Sequence, residues 1–288
     1  MAGGAVARTR FAPSPTGLLH LGHAYSALVA HELAGPGQFL LRIEDIDRDR
    51  CRPEYEHAIH EDLAWLGLTW QQPVMRQSGR MPVYRAALAR LAPLTYPCRC
   101  RRGDIRAALS APQEGALPAG PDGLIYPGTC RGRPLADAGA QDVIRLDAAA
   151  AFDALGIGHV GFRDTAILPG HDHVLTRDQF LAGIGDVILA RRGMGTSYHL
   201  AVVVDDAAQG VTLVSRGKDL FESTYIHVLL QRLLGLPTPL YHHHRLIRDT
   251  AGKRLAKRDN ARAIRHYRAA GADPQDIRAM IGLTARGP

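Results

Sequence analysis

Residues 8 to 43 read Arg8-Thr-Arg10-Phe-Ala-Pro13-Ser-Pro-Thr-Gly17-Leu-Leu-His20-Leu-Gly-His23-Ala-Tyr-Ser-Ala-Leu-Val-Ala-His-Glu-Leu33-Ala-Gly35-Pro-Gly37-Gln-Phe-Leu-Leu-Arg-Ile43. The stretch from Arg8 to Ala12 reads as a short strand, and Pro13 to Gly17 as a Pro/Gly turn. Leu21 to Leu33 carries a helical pattern that ends at Gly35-Pro36-Gly37. Gln38 to Ile43 is a compact apolar strand. Strand, helix, strand in so short a span is the βαβ unit of a nucleotide-binding α/β sheet. The expected fold is α/β, with a Rossmann-type parallel sheet.

Farther along, Glu54 to Leu66 and Val83 to Leu91 read as helices. From Cys98 to about Arg133 the texture changes, and Ser110 to Gly123, rich in Pro, Gly and Ala, reads as a loop inside an inserted module. Val143 to Leu146, Val160 to Arg163 and His173 to Leu175 suggest short strands. Ala201 to Val204 and Val211 to Val214 flank Asp205-Asp206 and, being β-branched, predict buried strands that resume the sheet. Ser223 to Leu234, Ala261 to Ala270 and Pro274 to Leu283 are expected to be helices.

The 288 residues suffice for one large or two modest domains, and 46% hydrophobic with 22% charged residues is an ordinary globular balance. No apolar run is long enough to span a bilayer, and residues 1 to 9 lack the apolar core of a signal peptide. A cytoplasmic protein without a membrane partner is expected, as a monomer. The formal charge of +7 is compatible with a polyanionic partner. Lysine is scarce: Lys218, Lys253 and Lys257 are the lysines, so two close together draw the eye.

His20-Leu21-Gly22-His23 falls in the turn between the first strand and its helix, where an open α/β sheet binds ligands. A helix N-terminus offers N–H groups and a positive dipole end to phosphate. Two histidines there can donate hydrogen bonds to phosphoryl oxygens as charge builds, and Gly22 lets the backbone pass close to a nucleotide. Gly252-Lys253-Arg254-Leu255-Ala256-Lys257-Arg258 is a basic loop suited to a triphosphate.

Together these segments resemble a known family. Arg10-Phe-Ala-Pro-Ser-Pro-Thr-Gly17-Leu-Leu-His20-Leu-Gly-His23 is similar to the signature of class I glutamyl- and glutaminyl-type tRNA synthetases, and its His-x-Gly-His resembles their HIGH motif. Leu41-Arg-Ile-Glu-Asp-Ile-Asp47, Tyr198-His-Leu-Ala-Val-Val-Val-Asp-Asp206 and Arg216-Gly-Lys-Asp-Leu220 resemble three further blocks. The basic loop resembles the KMSKS element, usually Lys-Leu-Ser-Lys-Arg in these enzymes. Here the first Lys is Arg254 and the Ser is Ala256, while Lys257 is retained. The resemblance implies roles for His20, Gly22, His23 and Lys257 in binding ATP, supplied with Mg2+, with His20, His23 and Lys257 catalytic. It assigns Arg10 and Arg216 to substrate carboxylates, Glu44 to the α-ammonium, and Ser14 and Tyr198 to orienting hydrogen bonds. Phe11, Ala12 and Pro13 complete the glutamate pocket. The charge types match what a glutamate needs: cations for two carboxylates and an anion for the ammonium; glutamine is the alternative, since an amide also fits hydrogen-bonding groups, and the two arginines favour the acid.

Cys98-Arg-Cys100 followed by Tyr126-Pro-Gly-Thr-Cys130 places three thiols in one short stretch, a plausible tetrahedral zinc site with a fourth ligand. Three reduced structural cysteines are the alternative. The Cys-x-Cys…Tyr-x-x-x-Cys arrangement resembles the short glutamyl-queuosine tRNA(Asp) synthetase family, which implies that Tyr126 completes a structural Zn2+ site. Arg99, Arg101, Arg102, Arg131 and Arg133 surround the ligands and suit RNA phosphate.

With residues 258 to 288 following Lys257, no large anticodon-binding domain is expected. The resemblance therefore implies a catalytic body that transfers glutamate to queuosine in the anticodon of tRNA(Asp). Its partners are L-glutamate, ATP and the queuosine-bearing tRNA(Asp). A synthetase paralogue charging a tRNA 3′ end, and a non-catalytic tRNA-binding relative, are the alternatives. The expected organisation is a first Rossmann half at 1–97 and an inserted zinc-containing, acceptor-binding-like module at 98–190. A second Rossmann half follows at 191–245, then the KMSKS-like loop and C-terminal helices at 246–288.

Overall fold

The computed structural model describes residues 6–109, 117–248 and 262–283. In chain order, the first stretch runs β1 (Thr9–Phe11), α1 (Leu21–Leu33), β2 (Phe39–Ile43), α2 (Pro53–Trp65), β3 (Gln71–Arg76) and α3 (Met81–Arg90). The middle runs β4 (Thr95–Cys98), α4 (Arg102–Leu109), β5 (Ala119–Gly120), β6 (Gly123–Leu124), β7 (Val143–Leu146), α5 (Ala148–Leu155), β8 (His159–Arg163), β9 (Asp172–Thr176), α6 (Arg177–Gly183) and β10 (Ile188–Ala190). The last runs α7 (Tyr198–Ala208), β11 (Leu213–Gly217), α8 (Ser223–Leu233), β12 (Leu240–His244), α9 (Ile264–Ala269) and α10 (Pro274–Met280).

β1, β2 and β3 pair in parallel, as do β11 and β12. The two ribbons meet where the N–H groups of Thr212 and Leu213 donate to the Arg8 carbonyl at 3.0 and 3.2 Å. The strand order across the joint is β3-β2-β1-β11-β12. From β1 the chain crosses to β2 on one side, and from β11 to β12 on the other. The gap between the carboxyl ends of β1 and β11 is thus the switch point at which open α/β sheets bind ligands.

Strand side chains alternate between faces, and this sorts the sequence. Phe11, Phe39, Leu41 and Ile43 pack with Leu28 of α1, Ile59 and Leu63 of α2, and Ile264, Ile277 and Ile281 near the C-terminus. Leu40, Val214 and Tyr241 pack on the other face against Leu200–Val204 of α7 and Leu229 and Leu230 of α8. Burying each such aliphatic side chain is worth about 2 kcal/mol. The same alternation puts Arg10, Arg42 and Glu44 on the α7 side, where they must find partners.

One expectation is corrected. Ala201–Val204 is not a strand but the middle of α7. A run buried all round satisfies a helix as well as a strand. Ser197 decides for the helix by accepting the Leu200 N–H on its side chain as N-cap. The strand expected at Val211 begins at Leu213 and continues to Gly217.

Between the halves of the sheet, β4, β7 and β10 form an antiparallel sheet in the order β10-β7-β4. A separate small core there joins Tyr96, Cys98, Ile105, Tyr126, Cys130 and Val143. β8 and β9 form a hairpin, and Asp164 just beyond β8 bridges to Tyr241 of β12.

Candidate active site

A cavity of about 440 Å³ opens at the switch point, between the ends of β1 and β11 and the start of α1. Arg10, Phe11, Ala12, Pro13, Ser14, His20, Gly22, His23, Glu44, Tyr198 and Arg216 all line it. These are the residues expected from the sequence to meet glutamate or ATP, apart from Lys257. Lys257, with the whole stretch from Gly252 to Arg258, lies outside the described residues.

The two histidines cap α1 reciprocally. His20 Nδ1 accepts the Gly22 N–H at 3.1 Å, and His23 Nδ1 accepts the His20 N–H at 3.1 Å. Because both Nδ1 atoms are acceptors, the proton of each neutral ring sits on Nε2. The cap therefore fixes the tautomer that can donate to a phosphoryl oxygen. The rings lie 3.8 Å apart between centroids. Gly22 has a local reason as well: a Cβ there would sit 3.0 Å from Cε1 of His20.

Arg10 and Arg42 converge on Asp206 of α7. Arg10 donates through Nε to Oδ1 at 3.0 Å and through Nη2 to Oδ2 at 3.3 Å, while Arg42 reaches Oδ1 at 2.6 Å. Arg42 also donates to Glu44 at 3.2 Å. All four side chains are buried, so removing one member strands a charge at a cost of roughly 3–5 kcal/mol. Burial works against ionisation of Asp206, but Arg10 and Arg42 more than offset it and hold its carboxyl below the usual range. For Glu44 burial wins: its carboxyl is raised, with Arg42 and Arg10 only partly compensating. Glu44 therefore stands to gain from a further cation in the cavity. Burial also raises the phenol of Tyr198.

Arg216, near the end of β11, is held differently. Its Nε donates to Nε2 of His243 at 3.2 Å, its Nη1 to Nδ1 of His227 at 3.0 Å, and its Nη2 to the Thr224 hydroxyl. One nitrogen of each ring accepts a guanidinium N–H, as a neutral imidazole can; burial, with help from Arg216, lowers His227 well below its ordinary value and also lowers His243. Among the described residues, three of the five guanidinium N–H donors are thus engaged by uncharged acceptors and two are not. Arg10 shares its charge with Asp206 while still lining the cavity; Arg216 has no carboxylate partner among the described residues and presents its charge to the cavity, a setting suited to a ligand carboxylate.

Away from the cavity, the Sγ atoms of Cys98, Cys100 and Cys130 lie within 4.8 Å of one another. The Tyr126 hydroxyl is 3.6 Å from Cys100 Sγ and accepts the Cys130 N–H at 2.7 Å. Three thiols and a phenol converging on one point fit a small tetrahedral cation. Burial opposes ionisation of Cys130, but the Tyr126 phenol and the Arg99 backbone more than offset it and bring the thiol to about 7. Cys51 lies apart from the cluster.

The partners of these charges are not marked by any motif in the sequence. Arg42 and Asp206 stand in recognisable blocks that assign them no role, and Thr224, His227, His243 and Asp164 stand outside them. A signal existed for Asp206: two adjacent carboxylates in an apolar run must be buried, and buried charges need cations. Nothing local marks the histidines, which come from α8 and β12.

The chain matches the family of class I tRNA synthetases (E and Q), catalytic domain, over residues 6–117 and 167–287. It is 59% identical to the glutamyl-Q tRNA(Asp) synthetase of Rhodobacter capsulatus, over 96% of this chain and 99% of that protein. With the protein of the same name from Symbiobacterium thermophilum it shares 41% identity, over 93% of this chain and 83% of the other. Among solved structures, a glutamate tRNA ligase from Elizabethkingia meningosepticum, in complex with its amino acid, superposes with a TM-score of 0.66 at 26% identity. That match covers 89% of this chain and 53% of the ligase, so the chain spans about half the length of that structure. Mycobacterium tuberculosis methionyl-tRNA synthetase, at 10% identity and a TM-score of 0.58, shares the fold.

Proposed function

The chain belongs to the glutamyl-Q tRNA(Asp) synthetase family of class I tRNA synthetases, and from this premise we propose that it activates L-glutamate with ATP and transfers the glutamyl group to queuosine in the anticodon of tRNA(Asp). The observation that carries the reading is the cavity itself: Arg216, with no carboxylate partner among the described residues, and the raised Glu44 share it with the capped His20–His23 pair. An acidic amino acid and a triphosphate are the ligands for which such a set is complementary.

On this reading Arg216 and Arg10 receive the glutamate carboxylates, Glu44 takes the ammonium, and Tyr198 and Ser14 orient the ligand. Phe11, Ala12 and Pro13 shape the wall. An α-carboxylate oxygen attacks the α-phosphorus of ATP, the bond to the β-phosphate bridge breaks, and pyrophosphate leaves. The Nε2–H groups of His20 and His23, with Lys257 from the basic loop, stabilise the charge that develops on the phosphoryl oxygens. ATP is supplied with Mg2+. A hydroxyl of the queuosine cyclopentene ring then attacks the activated carbonyl, the acyl–phosphate C–O bond breaks, AMP departs with the electron pair and the hydroxyl proton is released to the AMP phosphate or to water, proximity supplying much of the rate.

The division of the chain follows: catalytic halves at 1–97 and 191–245, a tRNA-facing module at 98–190, and the KMSKS-like loop with the C-terminal helices at 246–288. Cys98, Cys100 and Cys130, with Tyr126, hold a structural Zn2+ that ties the module together.

The test has two arms. Glutamate-dependent exchange of pyrophosphate into ATP, without tRNA, is expected, with glutamine a poor substitute. Queuosine-bearing tRNA(Asp) whose terminal adenosine has been removed enzymatically is then offered with labelled glutamate. Retained labelling supports the base as acceptor; loss of labelling on the trimmed tRNA identifies the 3′ end instead.

A further inference from the structure

Arg216 does not end its hydrogen bonding at His227. His227 Nδ1 is the acceptor for Arg216, so its proton is on Nε2, which donates to His199 Nδ1 at 3.0 Å. That in turn puts the His199 proton on Nε2, which donates to the two oxygens of Asp122 at 2.9 and 3.0 Å. Each link sets the tautomer of the next, because a neutral imidazole has one donor and one acceptor. The chain begins in the active-site cavity and ends on the inserted module.

The hairpin that carries Asp122 is shaped for close docking. Asp122 sits in the tight Pro121-Asp122 connection between β5 and β6, followed by Gly123 at a φ of 102°. A side chain at Gly123 would be strained in that conformation. A Cβ at Gly120 would meet the Gly183 carbonyl at 2.3 Å, so only glycine lets the hairpin lie against the end of α6. His199 and His227 are buried on the packed pair α7 and α8.

We propose that Asp122 is a positioning residue for the amino-acid substrate: through His199 and His227 it fixes Arg216 in the orientation that receives a substrate carboxylate. The inference rests on reading the cavity as the glutamate pocket. Without Asp122, no other described residue accepts from His199 Nε2 to select its Nε2–H form. The alternative array places a proton on His227 Nδ1, facing the N–H of Arg216, and two donors then oppose each other. The guanidinium must turn or shift, although no residue in the cavity has changed. The module that carries the cysteine cluster thereby helps to assemble the amino-acid pocket.

The experiment compares Asp122→Ala and Asp122→Asn with the parent protein. In pyrophosphate exchange, Asp122→Ala is expected to raise KM for glutamate about tenfold, the scale of coupling between contacting groups. KM for ATP should stay within about twofold of the parent on the same scale. Asp122→Asn, which keeps an acceptor oxygen but also offers a donor, should fall between. The second readout needs no activity: ring 15N signals should report Nε2–H tautomers for His199 and His227 in the parent, and a change at both in Asp122→Ala. A glutamate KM unchanged in Asp122→Ala, or one that rises only together with the KM for ATP, overturns the inference, as do ring signals that ignore the substitution. If the parent shows no glutamate-dependent exchange, the reading of the cavity fails, and the ring signals still decide whether Asp122 orders the array.

Discussion

At the residue scale, the site is an exercise in neutralising buried charge. Asp164 shows the limit. Its carboxylate accepts the N–H groups of Ala166 at 2.8 Å, Ile167 at 2.6 Å and His243 at 3.1 Å, and the His243 Nδ1–H. Burial alone would raise this carboxyl, but His243 and the amides of Ile167 and Ala166 more than offset it and hold it at about 2, against an ordinary 3.8. A carboxyl lowered on folding stabilises the fold above its ordinary value and loses that contribution as pH falls through the folded one. Asp164→Asn is therefore expected to cost about 2 kcal/mol at neutral pH. The urea midpoints of parent and variant should converge as pH falls from about 4 to about 2. A difference independent of pH over that window would show that the carboxylate charge is not what matters. The charge pattern of the pocket was legible beforehand, because Arg10, Glu44 and Arg216 sit in recognisable blocks. Their counter-ions were not, since Asp206 lies far along the chain from Arg10 and meets it only when α7 packs on that face of the sheet.

At the scale of elements, caps decided what periodicity left open. The helix at Leu21–Leu33 is readable from its pattern and its Gly-Pro-Gly stop, whereas the apolar run Ala201–Val204 suits a buried strand as well, and the Ser197 cap makes it part of α7. β12, with three consecutive histidines, has no apolar alternation to announce a strand, yet it pairs in register with β11 from Leu240 to His244. α10 offers a clean test of capping. Asp273 accepts the N–H groups of Gln275 and Asp276 at 2.8 and 2.9 Å, and Asp276 returns a bond to the Asp273 N–H. The helix seats Ile277 in the core beside α1, and Arg278 pairs with Glu32 at 2.7 Å. Asp273→Ala should cost about 1 kcal/mol, seen as a thermal midpoint lower by about 2–4 °C. Glutamate-dependent exchange at 25 °C should be unchanged; a large loss of activity would mean that α10 does more than support α1.

At the scale of the whole molecule, the middle of the chain makes a second centre with its own small core. The three thiols and the Tyr126 phenol lead to an expected content of about one zinc per chain, measured by elemental analysis of protein purified without chelator. Treatment with a strong chelator should release it and lower the thermal midpoint, because a structural metal contributes its binding energy to folding. Reduced cysteines with no bound metal would leave the cluster a purely packed one. Among the described residues no helix is long and apolar enough to cross a membrane.

The sequence alone carried whatever depends on near neighbours: the βαβ unit, the His20-Leu-Gly-His23 turn, the spacing of the thiols, and the blocks that bear the pocket charges. Local periodicity and short motifs need only a few consecutive residues, so they survive in one dimension. Tertiary structure alone decided how those charges are balanced. It set Arg10 and Arg42 on one carboxylate, and gave Arg216 neutral imidazoles in place of an anion. It also brought Asp122, from the β5–β6 hairpin, to the rings behind Arg216. Such pairings depend on which faces of distant elements meet, and the cost of burying a charge is settled only when they do.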